Sequence, residues 1–300
     1  MTCHRVPSAE DGWERIRCSA NQRARGTPSQ STRLLLLLAL LACVFLPLTG
    51  ASAQTKKPRV PIGIDPGGVL IAIAAVTGID YTQKDISDRL ARDGEGELIG
   101  WDFVDDDRQP FAAAAAGTAA TDLARAVLSQ APGSRLAVFR SKTGDKITLG
   151  KLAVYAARSR SRILLLTIAS GERSEWEAFA EVVAHFKEML VIVPADAGTA
   201  SFPAALGLPN ILSVSVGPAS GQPAPSPFQP DLTIAPDARG SHAAAARIAA
   251  LAAGIAAAET ASDGARLKQR LLAMARSGLA NTPQPAPAPS PLSLPPASPR

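Results

Sequence analysis

The sequence predicts an α/β protein: a three-layer, doubly wound, mostly parallel sheet with helices on both faces. Three observations predict it. Apolar runs such as "VLIAIAAV" (69–76), "ILLLTI" (163–168) and "LVIVPA" (190–195) are short and continuous, as strands buried on both faces are. Segments with helical spacing separate these runs. The repeated strand–helix–strand order calls for crossovers that return each strand parallel to the one before.

Taken in order, "VLIAIAAV" opens the sheet. A helix follows Gly117-Thr118 and runs to about Gln130, where "APGS" (131–134) breaks it. "RLAVFR" (135–140) is the next strand, and "TLGKLAVYAARSRS" (148–161) is helical in spacing. After "ILLLTI", Ser174 and Glu177 have the S-x-x-E spacing of a capping box, opening the helix "EWEAFAEVVAHFKEM" (175–189). That helix feeds the strand "LVIVPA", and "ILSVSV" (211–216) and "DLTIA" (231–235) add two short strands. "HAAAARIAALAAGIAAAE" (242–259) is apolar on nearly every face apart from Arg247, which predicts a buried helix lying close to the sheet. An amphipathic helix over about 263–277 closes the domain.

The two ends of the chain read differently. Arg33 precedes the apolar run "LLLLLALLACVFLPLTG", and "ASA" (51–53) is a small-x-small cleavage signal, so residues 1–53 read as a secretory signal peptide cut after Ala53. The charged region before the run is long, which suggests a start codon further downstream. The alternatives are an uncleaved anchor, which Pro47 and the short run disfavour, and lipidation at Cys43. The expected location is periplasmic or extracellular, with membrane anchoring as the alternative. Residues 54–65 read as a linker and 66–280 as the α/β domain. Residues 281–300 ("NTPQPAPAPSPLSLPPASPR") read as a proline-rich, disordered tail.

Composition excludes several chemistries. The formal charge is +5, but six arginines against three acids in residues 1–33 carry most of it. What remains is too small to argue for nucleic-acid binding. Cys3, Cys18 and Cys43 all lie in the leader, so the mature chain would have no disulfide and no cysteine nucleophile. Only His185 and His242 remain beyond it, far apart, so no metal or other cofactor is expected.

Several phrases in the same order resemble the subtilisin-like serine proteases. "TGIDYTQKDI" (77–86) is similar to the family's "DTGIDYTHPDL", and "GWDFVDDDRQP" (100–110) to "GYDFVDNDNDP". "APGSRLAVFR" (131–140) is similar to "APGAKLVAVRV". "MLVIVPADAG" with "FPAALGLPNILSVSVG" is similar to "GVLVVAAAGN" with "YPAALPNVIAVGA". "DLTIAPDARGSHAAAARIAALAAGIAA" is similar to "VDIAAPG" followed by "GTSMAAPHVAGVAALL". The resemblance spans most of residues 66–258 and implies a subtilisin-like fold and, in active members, serine endopeptidase chemistry.

That chemistry needs a serine nucleophile, a histidine base, an aspartate to orient the histidine and an amide for the oxyanion. By the resemblance, Val76 stands in the aspartate place before Thr77-Gly78. Ala116 stands in the histidine place before Gly117-Thr118, and His242 in the serine place. The oxyanion asparagine falls at about Ala197, beside Asp196, whose carboxylate would repel a developing oxyanion. In subtilisin, the family's type member, loss of the triad costs about 10⁶ in kcat. No catalytic residue is therefore assigned.

A relocated site would have to draw on other residues. Asp65, in "IGIDPGG", mimics the aspartate motif but precedes the matching strand. Ser241 is the candidate nucleophile of a relocated site with Asp196 or Asp237, set against a plain helix N-cap. His242 is its neighbour along the helix, which turns the two side chains about 100° apart. His185 reads as a partly exposed helix histidine, and Asp105, Asp106 and Asp107 as a solvated turn with weak cation binding as the alternative. The expected function is an exported, catalytically inactive pseudoprotease that binds a peptide or protein partner. The alternatives are a divergent serine endopeptidase and an envelope assembly module working through its proline-rich tail.

Overall fold

The computed structural model describes residues 57–112, 118–142, 145–196, 200–217, 228–235, 239–259 and 261–277. The leader, Ala116, Ala197, Asp237 and the proline-rich tail lie outside the described residues. The described residues belong to one compact unit.

Seven strands form one all-parallel sheet: β1 (Leu70–Ala75), β2 (Gly100–Asp102), β3 (Arg135–Arg140), β4 (Ile163–Leu166), β5 (Leu190–Pro194), β6 (Ile211–Val216) and β7 (Leu232–Ile234). Their order is β2-β3-β1-β4-β5-β6-β7. The helices are α1 (Lys84–Ser87), α2 (Ala119–Gln130), α3 (Lys146–Arg158), α4 (Glu177–His185), α5 (Gly240–Ala258) and α6 (Gly264–Arg276). The expected α/β architecture is present.

Alternation along the strands makes two cores. Ile71 and Ile73 of β1 join Leu136, Leu165 and Ile192 under α2, α5 and α6. Leu70, Ala72 and Ala74 join Phe139, Leu164 and Val191 under α3 and α4. Both faces of the central strands are thus dry, which is why their sequences are unbroken apolar runs. Helix α5 is long and apolar enough to cross a membrane, but Ala244–Ala246, Ala249 and Ala253 are buried in the first core, so it reads as a core helix.

Three local expectations are corrected. Ser174 and Glu177 form no capping box: Arg173–Trp176 is a 3-10 turn and α4 begins at Glu177 with no side-chain cap. Trp176 is fully buried and its indole N–H donates to Ser170 Oγ at 2.8 Å. This tightens the turn and leaves Glu177 to accept from Lys146 Nζ at 2.5 Å. Helix α3 begins at Lys146 rather than 148 because Asp145 caps it, accepting from Ile147 N–H at 3.0 Å. From Lys57 on, the expected linker is docked on the domain. Pro58 O accepts from the Tyr81 hydroxyl at 2.9 Å, and Pro61 O accepts from Arg92 Nη2 at 2.6 Å.

Candidate functional site

Strand β1 sits where the winding changes direction: the chain leaves it for β2 and β3 on one side and reaches β4 on the other. Ligands of open parallel sheets bind outside the carboxyl ends of strands at such a switch point. Val76 is the first residue beyond the carboxyl end of β1, and it is 52% exposed. Thr77 Oγ1 accepts from Ala120 N–H at 3.4 Å, and Thr121 Oγ1 accepts from Asp80 N–H at 2.9 Å. The start of α2 is thereby held against the segment that leaves β1. Thr118, just ahead of α2, donates to Asp122 Oδ2 at 2.6 Å.

The second part of the rim comes from β5 and α5. Asp196 follows the carboxyl end of β5 and accepts from Ser241 Oγ at 3.3 Å. Ser241 is not the N-cap expected from the sequence. Helix α5 starts two residues earlier than that cap implies, at Gly240, and the capping position is Arg239, with no side-chain cap bond. Gly240 has φ of 74°, a left-handed value that glycine adopts at little cost. That turn places Ser241 inside the first helical turn and aims its hydroxyl at Asp196. His242 is exposed beside it.

Val76 and Asp196 thus follow the carboxyl ends of β1 and β5, with β4 between those strands, the start of α2 held beside the first and Ser241, with His242 next to it, on the second. The rim holds a hydroxyl and a carboxylate in contact and an imidazole on the next residue. The other residues singled out from sequence lie elsewhere. Asp65 is five residues before β1, at the opposite edge, where its carboxylate accepts from Arg135 Nη1 at 2.5 Å and Arg92 N–H at 2.9 Å. Burial raises its pKa and these bonds outweigh it, so the carboxyl is held below its ordinary value. His185 ends α4, ahead of β5, and packs edge-on against Phe186 with centroids 5.1 Å apart. It too is remote from the rim.

The acidic turn is also corrected. Asp105 and Asp107 do not simply face solvent; with the fully buried Asp102 they surround Lys57 Nζ at 2.8–3.0 Å. Asp106 accepts from the Trp101 indole N–H at 3.3 Å, with a left-handed φ of 54°. Sequence reading missed Asp102 and Lys57 here. The available signal was the Asp-x-x-Asp-x-Asp spacing, but its cation lies 45 residues upstream. Among the described residues no group of His, Asp and Glu is arranged to hold a metal ion.

No family model and no curated protein sequence matches the chain. Among solved structures the chain is similar to a lanthipeptide protease, at 17% identity over 68% of this chain and 80% of that one, with a TM-score of 0.50. It is also similar to the nisin leader peptidase of Lactococcus lactis, at 12% identity over 73% of this chain and 84% of that one, with a TM-score of 0.50. At these identities the likeness shows the fold alone: the chain has an α/β fold similar to that of these two proteins.

Proposed function

We propose that this chain is an exported, catalytically inactive member of the subtilisin-like proteases that binds an extended peptide or protein segment at the carboxyl edge of its sheet. The observation that carries the reading is the chemistry of that edge. By the resemblance, Val76 offers no acceptor in the aspartate place, and His242 stands in the place of the nucleophile. Ser241 of the rim contacts a carboxylate and not an imidazole. One structural neighbour is named as a protease and the other as a leader peptidase. An extended peptide is therefore the ligand class assigned to this edge.

The test uses the full chain with a fluorophosphonate probe, a casein assay and a fluorescent library of extended peptides. No labelling and no cleavage are expected, together with peptide binding that Val76→Arg weakens. Binding of no library peptide would sink the binding role.

A second reading is favoured by one observation, the Ser241–Asp196 contact at 3.3 Å. It is a divergent hydrolase with Ser241 as nucleophile and Asp196 as base. Carboxylates are weak general bases near neutral pH, so turnover would be slow. Probe labelling that disappears in Ser241→Ala would establish this reading and overturn the first.

A further inference from the structure

We propose that Lys57–Asp65 is a latch that sets the geometry of the candidate rim, with Lys57 as its positioning residue. The Lys57 ammonium is enclosed by oxygens: Asp102 Oδ2 at 2.8 Å, Asp105 Oδ2 at 2.9 Å, Asp107 Oδ2 at 3.0 Å and Gln109 O at 2.8 Å. Its side chain is only 16% exposed, and Asp102 is fully buried. Arg140 Nη1 supplies the second cation, 3.0 Å from both Asp102 Oδ2 and Asp105 Oδ2. Three carboxylates thus share two cations, and removing Lys57 leaves a buried acidic group short of charge. Asp102 also accepts from the N–H groups of Val104 and Asp105 at 2.9 and 3.1 Å, so the same carboxylate shapes the turn.

From this cluster a short chain of contacts leads to the rim. Lys57 holds Gln109 O, and the next carbonyl, Pro110 O, accepts from Ile79 N–H at 2.8 Å. Ile79 O accepts from Ala112 N–H at 3.3 Å. Asp80, the next residue, donates its N–H to Thr121 of α2. The stretches of chain on either side of these bonds are those that leave β1 at Val76 and enter α2 at Thr118. The latch is pinned again by Tyr81 on Pro58, with the Tyr81 ring 5.0 Å from Phe111. Its far end is fixed at the opposite edge of the sheet, where Asp65 meets Arg135.

The proposal concerns the rim read above as the peptide-binding edge. Its test needs no peptide, so failure of the latch and failure of the binding role are distinguishable. Hydrogen exchange followed by mass spectrometry is run on the full chain and on Lys57→Met, Lys57→Arg and Asp107→Asn. Lys84→Met, which breaks an exposed pair with Asp88, serves as control. Lys57→Met is expected to speed exchange about tenfold or more in 78–82, 101–112 and 118–122, with β4, β5 and β6 unchanged. Lys57→Arg keeps the charge and retains most of the protection. Asp107→Asn leaves Asp102 paired and gives a smaller change in the same segments. Unchanged exchange in 101–112, or loss spread evenly through β4–β6, would overturn the latch.

Discussion

A valine at position 76 can pack or face solvent, but it cannot hold an imidazole. The neighbouring Gly78 leaves no space for a side chain. A Cβ on Gly78 would stand 2.4 Å from Pro110 O and 2.5 Å from the carbonyl carbon of Phe111. Gly78→Ala is therefore expected to destabilise the fold by about 1–3 kcal/mol, read as a lower urea midpoint at unchanged slope. Asp65 shows what a local pattern hides. "IGIDPGG" mimics a catalytic motif, yet its aspartate ties down the opposite edge through Arg135. Because its folded pKa is depressed from 3.8, its stabilisation is present above that value and lost as pH falls through the folded one. Asp65→Asn should flatten the acid limb of a stability–pH profile in that window. An unchanged limb would show that the Arg135 pair contributes nothing. The sequence already places Asp65 ahead of its strand; its partner Arg135 was not legible, because it lies 70 residues further along the chain.

The strands were the most legible elements, since burial on both faces leaves an unbroken apolar signature of the right length. "RLAVFR" and "ILSVSV" match β3 and β6 residue for residue. Helix starts were less so, because capping choices are settled by partners distant in sequence. Trp176 sinks into the core and moves the start of α4, and Gly240 turns the chain one residue ahead of Ser241. Composition alone marks helix α5 as buried, and its packing makes graded predictions. Ala245 is fully buried, so Ala245→Leu should cost about 1–3 kcal/mol by overpacking. Gly254 is exposed on the same helix, and an added Cβ meets nothing within 4 Å. Gly254→Ala should stabilise by about 0.5–1 kcal/mol, because alanine loses less backbone entropy in a helix. Chemical denaturation of both variants checks the pair; if their signs agree, the placement of α5 against the sheet is wrong.

At the scale of the molecule, the contacts that define the candidate site join residues far apart in the chain. Ser241 meets Asp196 across 45 positions, and Lys57 meets Asp107 across 50. No periodicity announces such pairs, so the fold class could be read from sequence while the rim and the latch could not. "QTKKPRV" looks like solvated linker because it is polar and short, and its two lysines carry no mark of a buried role. The difference is measurable with two chains, one beginning at Gln54 and one at Pro66. The shorter chain loses Lys57 from its three carboxylates, Pro58 from Tyr81, Pro61 from Arg92 and Asp65 from Arg135. Leaving the buried Asp102 without Lys57 sets the scale, about 2–4 kcal/mol once the remaining Arg140 contact is allowed for. For a domain of this size that corresponds to a melting temperature lower by about 5–15 °C. Equal melting of the two chains would mean that residues 57–65 rest on the surface without holding it, and the linker reading would stand.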